Sequence, residues 1–170
     1  MPTSPPEERE SERLALLASV PMTTDREGRF NELLELAAFI AHAPMASLAI
    51  VEAETVWFKA TLGFEVDTLD RHDTICGATV DEQAPLIISD TTQDPRFVDN
   101  PMVVDDPGVR FYAGFPLFLD DDLAVGTLCV FDRRPRTLLS DERYALRIVA
   151  DQMAGQLQLD RLEELLRDRG

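Results

Sequence analysis

The fold is decided between residues 94 and 136, where the chain reads DPRFVDNP (94–101), RFYAGFPLFL (110–119), an acidic turn (120–122) and LAVGTLCVFDRRPR (123–136). Two runs rich in aromatic and branched residues, separated by a short polar turn, predict an antiparallel hairpin at the centre of a sheet. Neither run alternates between apolar and polar residues, so both faces of the hairpin should be covered. Helices are expected to cover one face, and what covers the other is the functional question.

Length and composition restrict the number of domains, the cellular compartment and the kinds of partner that we expect. The 170 residues suit one domain with a sizeable core. No apolar run reaches the length of a membrane span, and the start, MPTSPPEERE, lacks the layout of a signal peptide, so we expect a cytoplasmic protein with no membrane partner. The net charge of −16 argues against nucleic acid or anionic lipid as a partner. Two cysteines are too few for a disulfide framework.

The first half of the chain predicts two helices and two strands. Residues 1–6 hold three prolines and are expected to be disordered, leaving a single domain over 7–170. A first helix begins at Glu7 and ends at Pro21, and Thr24 or Asp25 caps a second that stops before Pro44. MASLAIVEA (45–53) and TVWFKATLG (55–63) are predicted to be paired strands.

Two irregular segments, which we call the lids, flank a short predicted strand, PLIISD (85–90). The first lid, FEVDTLDRHDTICGATVDEQA (64–84), has room for one short helix around Ile75 to Val80. The second, residues 91–108, contains three prolines and many aspartates, which are expected to cap turns, and its Phe97 and Met102 are expected to pack downward. Loops of this length in a compact domain are usually functional or disordered.

The last predicted helix, residues 140–168 with Ser140 as its cap, has two apolar faces. Leu146, Val149, Met153 and Leu157 fall on one side and can cover the sheet. The opposite side needs a second partner, and the economical one is another copy of the chain. We therefore predict a homodimer whose interface includes Tyr144, Ile148, Leu159, Leu162 and Leu166.

Several pieces in their order along the chain resemble a GAF domain, of the type found beside bacterial histidine kinases and diguanylate cyclases. They are ERLALL (12–17), TTD near residue 25, WFKA (57–60), ICGA (75–78), DPRFVDNP (94–101), RFYAGFPL (110–117) and GTLCVFDRRPR (126–136). The resemblance implies an α+β, GAF-like (PAS-like) fold: an antiparallel sheet of five or six strands, with terminal helices on one face and lid loops and short helices on the other. It also implies a small-molecule pocket beneath the lids.

The pocket residues follow from that resemblance together with strand alternation. Thr127 and Cys129 share one face of the last strand, and Phe111 and Ala113 share one face of the strand before it. By resemblance we assign both pairs to the pocket side. The expected ligand site is then bounded by Ile75, Cys76, Phe97, Phe111, Ala113, Thr127 and Cys129, and the ligand itself is unknown.

The two cysteines admit two interpretations. Cys76 on the first lid can approach Cys129 to give a redox-responsive pair, or both can be small, inert, buried thiols. His42 and His72 are the only histidines, and no metal-binding motif surrounds them. No nucleophile, base and orienting acid assemble, so neither a catalytic nor a metal site is predicted.

The resemblance thus favours a non-catalytic sensory module with a signalling kinase or cyclase as partner. A reductase of free methionine sulfoxide, a cysteine redox sensor and a bilin- or haem-binding photosensor are the alternatives. Related domains usually carry Phe-Cys-Ala-His around the lid cysteine, whereas here Ile75 replaces the phenylalanine and Ala78 the histidine. That departure weakens the photosensor alternative.

Overall fold

Six antiparallel strands form the centre of the molecule. The computed structural model describes residues 6–21, 28–120 and 123–169. The strands are β1 (Met45–Val51), β2 (Thr55–Leu62), β3 (Thr68–Asp70), β4 (Leu86–Ile88), β5 (Phe111–Leu119) and β6 (Leu123–Asp132). Their order across the sheet is β3-β2-β1-β6-β5-β4, so the predicted hairpin of β5 and β6 and the long strand β1 occupy its middle.

Helices of different length cover the two faces. The long ones, α1 (Pro6–Leu17), α2 (Arg29–Ala41) and α5 (Ser140–Arg167), contribute to a core on one face, which we call the helix face. The short ones, α3 (Ile75–Glu82) and α4 (Pro101–Val104), belong to the two lids and cover the opposite lid face. The expected α+β arrangement is confirmed.

The helix face is closed by the apolar stripes that the sequence predicts. Helix α2 buries Phe30, Leu34, Ala37, Ala38 and Ala41, which recur at the spacing of one helical face. Helix α5 buries Leu146, Val149, Met153 and Leu157 in the same core. Every residue of β1 is buried, because side chains on both of its faces are covered, and this explains the missing alternation.

A bulge in the central hairpin sets which side chains share a face. Near the turn Phe118 pairs with Ala124, but the next residue, Leu117, pairs with Gly126, so the register shifts by one residue. Beyond the bulge Ala113 lies opposite Val130. An extra residue in one strand changes which residues of the partner point to the same side of the sheet.

The element boundaries differ little from the predicted ones. The first helix begins at Pro6, and the last is capped at Leu139, whose N–H donates to Glu142 Oε1 at 2.8 Å, so Ser140 is the first helical residue rather than the cap. The proposed caps Thr24 and Asp25 lie outside the described residues. So do residues 1–5 of the predicted disordered segment.

Candidate functional site

Six buried polar or sulfur-bearing side chains meet beneath the first lid, and we call them the lid cluster. They come from strands β1, β5 and β6 and from helix α3: Ser47, Cys76, Thr79, Tyr112, Thr127 and Cys129. Each is at most 1% exposed. A single buried polar atom needs a hydrogen-bond partner. Gathering six such side chains in an otherwise apolar core costs free energy unless they bond to one another or to something else.

The sulfur of Cys129 is the centre of the lid cluster. It lies 3.3 Å from the sulfur of Cys76, 3.1 Å from the phenol oxygen of Tyr112 and 3.0 Å from Thr127 Oγ1. All three neighbours can donate a hydrogen to sulfur, and a thiolate is a stronger acceptor than a thiol. The arrangement therefore suits a negative charge on Cys129.

Tyr112 and Thr79 complete the lid cluster on the side of helix α3. Their hydroxyl oxygens are 2.9 Å apart, so Thr79 can donate to Tyr112 and leave the phenol hydrogen for Cys129. The carbonyl of Ile75, 3.3 Å from Thr79 Oγ1, is an alternative acceptor for the same hydroxyl. The phenol lies over Gly114, where an added Cβ would overlap Tyr112 Oη and come within 2.8 Å of Thr79 Oγ1. Glycine at 114 therefore makes the room in which the tyrosine reaches Cys129.

One member of the lid cluster lacks a partner. Ser47 lies opposite Cys129 in the pairing of β1 and β6 and is fully buried. Its hydroxyl oxygen has no hydrogen-bond partner at ordinary geometry within the described part of the chain, although it lies near enough to Cys129 to contribute to the lowered pKa of that thiol. An unsatisfied buried hydroxyl costs about 1–3 kcal/mol. A position that retains this cost is a candidate for contact with a bound molecule or a water.

The two thiols differ in acidity. Burial raises the pKa of Cys129, but hydrogen bonds from Cys76, Thr127 and Tyr112 outweigh it, and the pKa lies below that of an ordinary cysteine. The hydrogen bond that Cys76 makes to Cys129, together with burial, holds the pKa of Cys76 well above its usual value. Cys129 is therefore the thiol that ionises first.

The structure brings together five of the seven residues predicted to line the pocket. Ile75, Cys76, Phe97 and Cys129 belong to the lid-face core, and Thr127 contacts Cys129. The approach of Cys76 to Cys129 is thus confirmed.

The assignment of Phe111 and Ala113 to the pocket side is wrong. Both are fully buried in the helix-face core, on the other side of the sheet. The bulge between β5 and β6 is the reason: the register of the pairs nearest the turn would place Ala113 opposite Cys129, and the one-residue shift places it opposite Val130. On the lid side of β5, the side chain beside Cys129 is instead that of Tyr112.

The sequence reasoning also missed Tyr112, Thr79 and Ser47. A signal for Tyr112 was present, because a tyrosine inside an apolar strand needs a partner for its hydroxyl. Ser47 and Thr79 interrupt apolar runs in the same way. What strand alternation alone does not supply is the side of the sheet to which each one points.

A second feature, the outer cleft, lies between helix α1 and the outside of the first lid. It is a cavity of about 720 Å³ whose lining includes Arg9, Arg13, Arg71 and Arg96. Arg71 donates to Glu10 at 2.7 Å and to Asp81 at 2.6 Å, and so ties α1 to lid helix α3. Hydrogen bonds from Arg13 and Arg71 lower the pKa of Glu10 to about 2, against the opposing effect of burial.

The predicted interface residues are exposed along α5. The exposed fractions are 62% for Tyr144, 40% for Ile148, 55% for Leu159, 43% for Leu162 and 68% for Leu166. The exposed Gly155 lies on the same stripe, and a Cβ added there would meet nothing within 4 Å. The two apolar faces of the helix are therefore confirmed, and one of them has no cover within the described residues.

The histidines and lid aspartates have ordinary structural positions. His42 ends helix α2 in a left-handed conformation, and His72 lines the outer cleft. Asp90 and Asp94 accept hydrogen bonds from the backbone two residues on, as turn-capping aspartates do. Across the described ranges, no three histidine, cysteine or acidic residues are placed to hold a metal ion. None of the described helices is long and apolar enough to span a membrane.

Comparison with known proteins gives a family match over most of the chain. A family model described as GAF domain matches residues 17–157. Cyclic di-GMP phosphodiesterase PA2567 from Pseudomonas aeruginosa is 37% identical over 117 residues, which are 69% of this chain and 20% of that protein. The chain therefore spans about one fifth of the length of this relative.

Solved structures share the fold at low identity. The GAF-B domain of DevS from Mycobacterium smegmatis has a TM-score of 0.62 at 19% identity, covering 81% of this chain and 96% of that one. A type II free methionine-R-sulfoxide reductase from Thermoplasma acidophilum has a TM-score of 0.60 at 13% identity, covering 75% and 90%. At these identities the likeness shows a common fold and nothing about ligand or chemistry.

Proposed function

Because this chain belongs to the GAF domain family, we propose that it is a non-catalytic sensory and regulatory module, which binds a small molecule beneath its lids and signals through dimerising helices. The lid cluster is the observation that carries the proposal. It gathers hydrogen-bonding groups in an apolar, covered place, and small-molecule sites combine an apolar lining with a few such groups. Within the described residues the Ser47 hydroxyl has no partner at ordinary geometry, so a ligand atom that hydrogen-bonds to it would contribute most to the free energy of binding.

The proposed ligand site keeps Ile75, Cys76, Phe97, Thr127 and Cys129 and adds Tyr112. These side chains are packed against one another in this structure, so a ligand enters when helix α3 lifts from the sheet. Helix α3 is short, with eight residues, and local opening of such elements costs less than global unfolding. The ligand chemistry that fits is a small, mostly apolar molecule with one or two polar atoms that can reach Ser47 and Tyr112.

The proposed output is a change in the pairing of α5 between two copies. Successive residues of the exposed stripe of α5 are three, four or seven positions apart, which is the spacing of a coiled-coil seam with one polar interruption between Ile148 and Gly155. A cyclase, phosphodiesterase or kinase region attached to that helix would respond to its register. The relative from Pseudomonas aeruginosa supports this kind of partner, since the matched part is one fifth of a cyclic di-GMP phosphodiesterase.

Mass spectrometry of small molecules released from the purified protein tests the ligand proposal. The matched control is Ser47→Leu, which fills the lid face beside Cys129 while leaving α5 unchanged. We expect a molecule released from the wild type and missing from the variant, together with a rise in wild-type melting temperature when it is added back. If nothing is released, and no compound of a metabolite library shifts the melt, the lid face is ordinary core and the ligand proposal fails.

The reductase is the second candidate, and the contact between Cys76 and Cys129 is the observation that favours it. Such an enzyme needs an attacking thiolate and a resolving thiol. Incubation with free methionine sulfoxide and a dithiol reductant would release methionine if this candidate were correct. The photosensor alternative has a simpler readout, since the purified protein would then be coloured.

A further inference from the structure

We propose that Cys76 and Cys129 are an oxidation site, at which a hydroperoxide converts the two thiols into a reversible disulfide that fastens lid helix α3 to the central strand β6. This inference rests on the proposed sensory function and names one signal to which the lids respond. It assigns redox chemistry to the two buried thiols, which the proposed ligand site uses only as part of its lining.

The position of the two sulfurs carries the proposal. They are 3.3 Å apart and come from elements 53 residues apart in the chain, one in the first turn of α3 and the other in the middle of β6. A disulfide has a sulfur–sulfur distance of about 2.05 Å, so closure needs an approach of little more than about 1 Å. Rotation of the two side chains and a small shift of the eight-residue helix supply it.

The surroundings assign different roles to the two thiols. Cys129 receives hydrogen bonds from Tyr112 and Thr127, and the pKa of its thiol lies below the ordinary value, so it is the attacking thiolate. The pKa of Cys76 is held well above its usual value by the hydrogen bond to Cys129 and by burial, so Cys76 stays protonated while Cys129 attacks the peroxide. Once Cys129 is a sulfenic acid it no longer carries the negative charge that holds the proton on Cys76, and Cys76 can then resolve the intermediate. Redox-sensing cysteines are typically low-pKa thiols beside a resolving cysteine and open to solvent, and this pair meets the last condition only when the lid opens.

The chemistry balances with the hydroperoxide as the only oxidant. The Cys129 thiolate attacks the terminal peroxide oxygen, the O–O bond breaks, and the other oxygen leaves as water or an alcohol after taking a proton, which gives a sulfenic acid at Cys129. The sulfur of Cys76 then attacks Cys129, the S–O bond breaks, and the hydroxyl leaves as water with the Cys76 proton. The pair loses two electrons and two protons, and the peroxide gains them.

Access to Cys129 depends on the lid. Both sulfurs are at most 1% exposed, and helix α3 contributes the cover. The peroxide therefore reaches Cys129 only while α3 is raised, and the disulfide forms when it closes again. Asp81 on the same helix is bonded through Arg71 to Glu10 of α1, so a fixed lid also fixes the N-terminal half of α1.

Intact-mass spectrometry of the full chain treated with hydrogen peroxide tests this inference. We expect a loss of about 2 Da that is reversed by dithiothreitol, with a peptide linking Cys76 to Cys129. In Cys76→Ala the sulfenic acid should persist and be trapped by dimedone at Cys129. In Cys129→Ala dimedone should not label Cys76, and thermal melts of both variants establish that they are folded.

The methionines provide an internal reference. Oxidation of a methionine adds about 16 Da, and if this gain precedes the loss of the two thiol hydrogens in the folded protein, the pair is inert packing and the proposal is overturned. Dimedone labelling of Cys76 in Cys129→Ala at the wild-type rate would also overturn the assignment of roles. So would disulfide formation driven by free methionine sulfoxide with release of methionine, because the site would then be that of a reductase.

The proposed sensory function is tested separately. Ligand release and dimerisation are measured on the wild-type chain kept reduced with dithiothreitol, so that the disulfide does not form and no residue of the proposed ligand site is changed. A ligand released from the reduced protein, combined with thiols that hydrogen peroxide does not link, would reject the oxidation site alone. A peroxide-induced disulfide in a protein that releases no ligand would reject the ligand proposal alone.

Discussion

The phenol oxygen of Tyr112 lies 3.1 Å from the sulfur of Cys129, on the lid face of the sheet and beneath helix α3. Tyr112 is fully buried, and its hydroxyl also meets Thr79 at 2.9 Å. A tyrosine hydroxyl that both anchors a lid helix and hydrogen-bonds a thiol connects the position of the lid to the ionisation of Cys129.

Tyr112→Phe should make Cys129 less acidic. The change removes a hydrogen bond that favours the thiolate, so the pH at which Cys129 becomes reactive toward a small thiol reagent should move upward. The cost in stability should be about 1 kcal/mol, because Thr79 loses Tyr112 as a partner but can donate to the carbonyl of Ile75 instead. The chain has two tyrosines, and the control Tyr144→Phe on the exposed stripe should leave the profile unchanged. If the pH dependence of Cys129 reactivity is the same in the two variants, the Tyr112 hydroxyl does not influence the ionisation of the thiol.

Ala113→Leu should destabilise the domain and leave ligand binding untouched. Ala113 is fully buried in the helix-face core opposite Val130, where a larger side chain overpacks at a cost of about 1–3 kcal/mol. Urea unfolding measures the loss, and Ala15→Leu on the exposed side of α1 is the control with no expected cost. An Ala113→Leu variant as stable as the wild type would mean that vacant space exists beside the strand.

Ala113 separates the features that the sequence predicts from those that it does not. The order of the elements, the split of α5 into a buried and an exposed face, and the meeting of Cys76 with Cys129 all follow from apolar spacing and family resemblance. The face of Ala113 does not, because it depends on a one-residue bulge between Leu117 and Phe118. Strand alternation has a period of two, so one extra residue reverses which side chains of the two strands share a face, and neither alternation within one strand nor the resemblance supplies that register. Tyr112 was missed for the same reason.

Glu10→Gln should lower stability at neutral pH and lose its effect in acid. The pKa of Glu10 is lowered from 4.5 to about 2 in the folded protein, so its ion pairs stabilise fully above the unfolded value of 4.5 and are lost as the pH falls toward 2. Because the side chain is partly exposed and screened by solvent, we expect about 1 kcal/mol at pH 7. Urea unfolding across this range should show the two proteins converging in acid. Glu12→Gln, on the exposed side of α1, should match the wild type throughout.

Leu162→Glu should give a folded monomer. Leu162 is 43% exposed on α5, so a carboxylate there costs little within one copy but is buried and unpaired in the proposed dimer. Light scattering measures the mass and circular dichroism the fold. Arg167→Glu, which adds the same side chain outside the stripe, should remain dimeric. A wild type that is monomeric at high concentration, or a dimer that tolerates the charge at Leu162, would contradict the interface.

Gly155→Ala separates the stability of the helix from the association of two copies. A Cβ at this position meets nothing within 4 Å, and alanine is favoured over glycine in a helix interior by about 1 kcal/mol. In the monomeric Leu162→Glu background the substitution should therefore raise the free energy of unfolding by about that amount.

A glycine in the middle of an exposed apolar stripe allows the backbones of two helices to approach closely. In the otherwise wild-type chain, the same methyl group should hold the helices apart and weaken the dimer, as measured by sedimentation over a concentration series. Opposite signs for the two measurements would locate the helix crossing at Gly155. A dimer that is strengthened, or left unchanged, would place the crossing elsewhere on α5 and leave the glycine without a role in assembly.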